Sequence, residues 1–338
     1  MRANGIAYNT GFLTPATPLD LDRVRRELAL IRDDLHCNAV HLVGGDPGRL
    51  EAAARIAAGL GLEVWFSPYP LGLTPEQIRA LFLDCADRAE RLRATGAAVV
   101  LVTGVELTIM NRGFIEGDSL EDRIAQLFAG RVAEARARLG DFLREVVPAV
   151  RRRFHGPVTY AAIPFEDVDW DLFDIVTLEL IRSAEVAGQF REAVRTLTAG
   201  AKPVAVTGFG TATWRGAADV APRSMEIVEN DPVTGAPLRI DGHYERDEEG
   251  QAAYFRELLE IFDSEGVDSA FAYLFALDDY PHRPGGDPRD DLDLASPGIV
   301  KVLDGRTGDT YPGLPWEPKA AFAAIARHYA GGSRPLAG

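Results

Sequence analysis

Cysteine is nearly absent: two, Cys37 and Cys85, occur among 338 residues. Each falls inside an apolar helical pattern, so buried free thiols are expected rather than a disulfide or a metal site. Histidine is scarce too. The six, at positions 36, 41, 155, 243, 282 and 328, form no His-x-His, no His-Glu-x-x-His and no Cys/His cluster, and no metal is expected. No Gly-x-Ser-x-Gly elbow and no dinucleotide fingerprint after the first strand appears, so a serine hydrolase and a nicotinamide or flavin enzyme are disfavoured and no cofactor is expected. No run reaches the roughly 18 apolar residues of a membrane span. Positive charge is outnumbered, with 36 Lys and Arg against 51 Asp and Glu and a net charge of −15. A field of that sign repels phosphate backbones and anionic lipid, so neither a nucleic-acid nor a membrane partner is expected. Met1-Arg2-Ala3-Asn4-Gly5 carries no apolar signal region, which makes a cytoplasmic location the expectation. Nothing in the sequence sets an oligomeric state.

What is present is a repeated alternation. A short apolar strand run followed by an amphipathic helix recurs along the chain, as a parallel sheet requires. Strands are predicted at 5–9, 39–43, 62–67, 98–103, 158–163, 175–180, 203–207 and 269–275. The helices between them include one bearing Val24, Leu28, Ile31 and Leu35 on one face, and one opening at Thr74-Pro75-Glu76-Gln77 with a capping box. A long helix is predicted over 120–153, one over 184–198, one carrying Phe255, Leu258, Leu259 and Phe262, and a closing helix over 318–329. Eight units in this order predict a (β/α)8 TIM barrel, one domain spanning 1–338.

Loop lengths add a direction. Helix-to-strand joins such as Gly59-Leu60-Gly61, Thr95-Gly96 and Glu265-Gly266 are short. Strand-to-helix joins after the fourth, seventh and eighth strands are long, near 107–119, 208–246 and 276–315. In such barrels these loops all emerge at the C-terminal face, where chemistry is placed. A doubly wound open sheet with decorated loops is the alternative architecture.

The clearest chemical candidate is Glu106, just beyond the fourth strand in Gly104-Val105-Glu106-Leu107. Together with Tyr8-Asn9-Thr10-Gly11-Phe12, Leu62-Glu63-Val64-Trp65-Phe66-Ser67-Pro68, Val168-Asp169-Trp170-Asp171-Leu172-Phe173-Asp174 and Trp316-Glu317-Pro318-Lys319-Ala320-Ala321-Phe322, this segment resembles the clan A glycoside hydrolases, β-mannanase-like members above all, and related actinobacterial barrels of unassigned role. The resemblance implies a TIM barrel with Glu106 as general acid/base. It also implies a glutamate nucleophile ending the seventh strand, because two carboxyls about 5 Å apart allow one to attack the anomeric carbon while the other protonates the leaving oxygen.

At the seventh strand the chain departs from that pattern. It reads Pro203-Val204-Ala205-Val206-Thr207-Gly208-Phe209-Gly210, so Gly208 stands in the vacated nucleophile position. Three readings stay open: a natural loss in a barrel recruited to other chemistry, a deliberate removal, or else a register that is off or another carboxylate that has taken over. Glu179, Asp278 and Asp279 are the acids available at strand ends. Glu179 finishes an apolar strand, and Arg182 is its obvious ion-pair partner if it is structural rather than catalytic. Asp278 and Asp279 serve equally as turn caps. Val105 stands where many clan members carry Asn. Gly208-Phe209-Gly210-Thr211 also admits a phosphate cradle.

Tyr8, Asn9, Trp214, Tyr273, Asp278, His243 and His282 complete the candidate binding residues, with aromatic stacking on a sugar expected of Trp214 and Tyr273. Asn9 serves as well to cap a turn, and Trp65 is expected to pack beside its strand. The expected partner is a small-molecule or carbohydrate substrate: a sugar or a sugar-derived, cyclic polyoxygenated metabolite. With Glu106 and no classical nucleophile, the accessible reactions are ring opening or closure, isomerisation, elimination and hydrolysis through activated water. A conventional glycoside hydrolase with its nucleophile elsewhere, and a catalytically silent carbohydrate-binding barrel, are the alternatives.

Overall fold

Runs such as Ala39–Gly44 and Val99–Val105 are buried on both faces, as strands must be when helices cover one side and the opposite strands the other. In the computed structural model, which describes residues 1–12, 18–231 and 234–332, eight such strands run parallel and close on themselves. Seven come in succession: β1 (Ala3–Asn9), β2 (Ala39–Gly44), β3 (Glu63–Pro68), β4 (Val99–Val105), β5 (Val158–Ala162), β6 (Val176–Glu179) and β7 (Val204–Phe209). A small antiparallel pair follows, β8 (Val228–Asn230) and β9 (Pro237–Ile240), before the last barrel strand, β10 (Ser269–Ala272). The hydrogen-bonded order is β1-β10-β7-β6-β5-β4-β3-β2. The chain is a (β/α)8 barrel.

The helices follow their strands: α1 (Leu21–Asp33), α2 (Pro47–Gly59), α3 (Pro75–Arg93), a single turn α4 (Leu107–Met110), α5 (Leu120–Gln126), α6 (Val132–Arg151), α7 (Ala187–Thr198), α8 (Glu248–Ser264) and α9 (Ala320–Gly332). Thr74 and Gln77 form the predicted capping box of α3. The helix expected over 120–153 is not continuous. Gly130 adopts φ +92° within a π-helical turn at Leu127–Arg131, and glycine alone enters that region without steric cost.

Barrel strands alternate side chains between two apolar regions. Trp65, Val100, Val102, Ala161, Ala205 and Phe271 form one buried cluster, whose alternate positions face the lumen. Trp65 is fully buried, stacks near Phe271 with centroids 4.8 Å apart, and donates Nε1–H to Glu63 at 2.8 Å. That layer fills the barrel interior and leaves the strand C-termini as the open end. Intervening side chains, including Leu101, Tyr160 and Phe209, join the larger core with the helices. Both cysteines are buried there as free thiols.

The long loop after β10 contains a second antiparallel pair, β11 (Val300–Val302) and β12 (Trp316–Pro318). A charged knot anchors it. Arg246 bonds Asp291 and Asp293 at 2.9 and 2.8 Å, and the fully buried Lys319 bonds Asp293 at 2.9 Å. Charges this deep are tolerated only when paired, so the knot ties the loops after β7 and β10 to the start of α9. Among the described residues no helix is long and apolar enough to cross a membrane.

Candidate active site

Beyond β4 the chain turns sharply at Glu106, whose backbone is left-handed at φ +47° and ψ +42°. A non-glycine residue rarely takes this conformation. Here it is held on every side. The Glu106 N–H donates to the Ala161 carbonyl at 3.1 Å, the Leu107 N–H donates to the Tyr160 hydroxyl at 2.8 Å, and the Ile109 and Met110 N–H groups return to the Glu106 carbonyl. The side chain accepts no hydrogen bond from any described residue.

A second carboxylate, Glu179, ends β6 at only 9% exposure. Thr207 on β7 donates its hydroxyl to Oε1 at 2.5 Å. The other oxygen has a telling position. Glu179 and Gly208 are partners across the β6–β7 ladder, and a Cβ placed on Gly208 would lie 1.5 Å from Glu179 Oε2. The Glu179 carboxylate therefore occupies the space that a side chain at 208 would enter. Arg182, the partner expected for a structural ion pair, turns elsewhere: it bonds Glu257 at 2.9 Å and lies over the Tyr254 ring.

A third acid, Glu166, lies just past β5 and is 1% exposed. It accepts from the Tyr160 hydroxyl at 2.9 Å, from the Thr108 hydroxyl at 2.7 Å, and from the N–H groups of Thr108 and Ile163 at 3.2 and 3.1 Å. The sequence reading missed it. Its one signal was an acid directly after a strand, in Pro164-Phe165-Glu166.

Burial dominates the electrostatics of all three. It pushes Glu106 up to about 8, with the charges of Glu179 and Glu166 adding to the rise. It pushes Glu179 up to about 7 against the opposing Thr207 hydrogen bond, with Glu166 again adding. It pushes Glu166 up to about 7 against its hydrogen bonds from Thr108, Tyr160 and Ile163. Among the described residues no cation offsets Glu106 or Glu179.

Tyr69 and Tyr273 feel the charge of both Glu106 and Glu179, and both line a cleft of about 1200 Å³ at the barrel mouth. The two carboxylates lie within electrostatic reach of these tyrosines, but neither is itself among the described residues that line the cleft. Tyr8, Asn9, Phe12, Arg23, Asp278 and Tyr280 form part of its walls. Tyr8 donates to Glu27 at 2.5 Å, Asn9 Oδ1 accepts from the Gly11 N–H at 2.8 Å, and Asp278 accepts from Arg23 at 2.7 Å. Tyr8, Asn9, Arg23 and Asp278 are thereby each held by a bond of their own. Asp279 also lines the cleft, its carboxyl raised by burial and by Asp278.

Three expected binding residues lie elsewhere. Trp214 packs on Tyr244 with centroids 5.2 Å apart and donates Nε1–H to the Ser224 carbonyl at 2.9 Å. His282 sits 3.0 Å from Asp291 within the charged knot. His243 is exposed and outside the cleft lining. The phosphate cradle lacks a helix behind it, because α8 starts only at Glu248 and carries two acids in its first turn. Among the described residues no group of three or more His, Cys, Asp or Glu is placed to hold a metal ion.

No protein-family model and no curated protein sequence matches the chain. Solved structures do. A GH113 β-1,4-mannanase complex superposes with a TM-score of 0.64 at 15% identity, covering 97% of this chain and 98% of the mannanase. The GH113 β-mannanase of Alicyclobacillus acidocaldarius gives 0.57 at 14% identity, with 97% of each chain covered. The β-glucuronidase of Parabacteroides merdae gives 0.59 at 13% identity over 97% of this chain and 36% of its own. At these identities the likeness concerns the fold: this barrel has the architecture of those glycosidase barrels.

Proposed function

We propose that this barrel is an acid/base enzyme acting on a sugar or a sugar-derived polyoxygenated ring, with Glu106 as proton donor and Glu179 as the second carboxylate. One observation carries the reading: Glu179 Oε2 lies 1.5 Å from where a side chain at 208 would begin. On this reading a carboxylate from β6 stands beside the 208 position, where the clan A resemblance implies one from β7. The glycosidase architecture of the structural neighbours supports the substrate class, and the tyrosine-lined cleft supports a polyoxygenated ring with one apolar face.

The protonation states fit the roles. Glu106, pushed up to about 8, holds its proton at neutral pH and can deliver it to a leaving or ring oxygen. Glu179, at about 7, ionises just below that and can serve as base or nucleophile. Glycosidic hydrolysis is the reaction that uses both groups. Ring opening and isomerisation need the same proton transfers without water.

The test is a panel of aryl glycosides with Glu106→Gln, Glu179→Gln and Glu179→Ala. Turnover by the unmodified protein that falls in the first two variants supports the pair. Azide rescue of Glu179→Ala, with a glycosyl azide as product, identifies Glu179 as the nucleophile. Turnover that survives Glu179→Gln unchanged rules out the second carboxylate.

A further inference from the structure

We propose that Glu166, acting through Tyr160 and Thr108, is a positioning residue that holds Glu106 in its left-handed turn and places a buried negative charge beside it. The inference rests on Glu106 being the acid of the reading above. Its basis is a chain of contacts outside the cleft. Tyr160 points away from the lumen, into the core between sheet and helices. Its hydroxyl accepts the Leu107 N–H at 2.8 Å and donates to Glu166 at 2.9 Å. Glu166 also takes both the hydroxyl and the N–H of Thr108, two residues past Glu106.

The arrangement answers a backbone problem. A glutamate at φ +47° costs on the order of 1 kcal/mol or more, and the chain relaxes unless neighbouring peptide groups are fixed. The N–H groups of residues 106, 107 and 108 are all spoken for: by the Ala161 carbonyl, by Tyr160 and by Glu166. Two of those three anchors trace to the Glu166 carboxylate. The same carboxylate is a like charge near Glu106, and a like charge favours the protonated, proton-donating form. One side chain thus sets both the direction and the proton affinity of the acid, without touching substrate.

The two effects separate by mutation. Glu166→Gln keeps an oxygen for Thr108 and removes the charge; Tyr160→Phe keeps the charge and removes the anchor of Leu107. The measurement is the titration of Glu106 by NMR in protein labelled at the glutamate carboxyl carbon, assigned with Glu106→Gln, together with amide exchange at Leu107. Glu166→Gln is expected to move the Glu106 midpoint to lower pH. Tyr160→Phe is expected to speed Leu107 exchange and to lower kcat roughly 10- to 100-fold with KM little changed. A Glu106 midpoint that stays in place in Glu166→Gln, or Leu107 exchange unchanged in Tyr160→Phe, overturns the inference. Should Glu166→Gln fail to fold, Thr108→Val removes one Glu166 contact and must speed exchange around the turn for the inference to stand. Failure of the underlying reading looks different: Glu106 in the unmodified protein would titrate at the ordinary carboxylate value.

Discussion

Gly208→Ala is the smallest perturbation that tests the site. Gly208 does not sit at positive φ, so alanine fits its backbone and acts only through its methyl group. That carbon would stand 1.5 Å from Glu179 Oε2, against an ordinary contact of 3.4 Å or more. The carboxylate must retreat by about 2 Å. It is the end of a flexible side chain, so it can do so, but it gives up the 2.5 Å bond from Thr207. A hydrogen bond to a charged group contributes about 1.5–3 kcal/mol, and the alanine returns about 0.4–1 kcal/mol through the unfolded chain. The expected net destabilisation is about 1–2 kcal/mol, a loss of a few degrees in Tm.

Activity should suffer far more than stability, because a carboxylate displaced this far is out of line with the reacting carbon; a loss of roughly 100-fold in kcat is expected. Gly210→Ala is the contrasting control. There the added carbon meets the Tyr273 backbone carbonyl at 2.2 Å, which cannot swing aside, so stability itself should fall. The assay pairs thermal unfolding of both variants with turnover of whichever aryl glycoside the unmodified protein accepts. A Gly208→Ala protein with full turnover and an unmoved Glu179 titration would refute the assignment of Glu179 to that space.

Further outcomes follow from the same geometry. Gly208→Glu alone should be inactive, since two carboxylates then contest one volume, whereas Gly208→Glu combined with Glu179→Ala should recover turnover in the arrangement implied by the clan A resemblance. The pH profile of kcat/KM should be a narrow bell, rising as Glu179 ionises near 7 and falling as Glu106 deprotonates near 8, with the two limbs belonging to the coupled cluster. The stability of the fold should show the opposite linkage. A buried acid whose folded value lies above its unfolded one stabilises fully below about pH 4.5, and that contribution is lost as the pH rises through 7, so Glu179→Gln should gain on the order of 3 kcal/mol in urea unfolding at pH 8 and nothing at pH 4. Lys319→Met, which removes one of the two cations that Asp293 bonds in the charged knot and leaves it Arg246, should cost about 1–3 kcal/mol in the same measurement.

The barrel was legible because its signals are local. Strand runs, capping residues such as Thr74 and Gln77, and short helix-to-strand turns each act over a few residues and repeat eight times. Glu106 was legible for the same reason, as an acid one step past an apolar strand. Glu166 carried that signal as well, but it gains meaning only from Tyr160 and Thr108, which reach it from β5 and from the turn after the neighbouring β4. Trp214 and His282 show the converse. Their place in long loops suggested the cleft, yet an indole needs a hydrogen-bond acceptor and an imidazole beside buried acids finds one. Ser224 and Asp291 supply those partners away from the cleft.

Gly208 shows why the site's second half could not be read from one strand. Read along β7, the glycine is a missing nucleophile. Across the ladder it is the vacancy that Glu179 requires. Neighbouring parallel strands lie about 4.8 Å apart, and a glutamate side chain spans that distance, so an acid on β6 can lay its carboxylate where a side chain on β7 would begin. The substitution works only if the β7 residue has no side chain and if a donor holds the incoming carboxylate in place. Gly208 and Thr207 are those two conditions, adjacent in sequence.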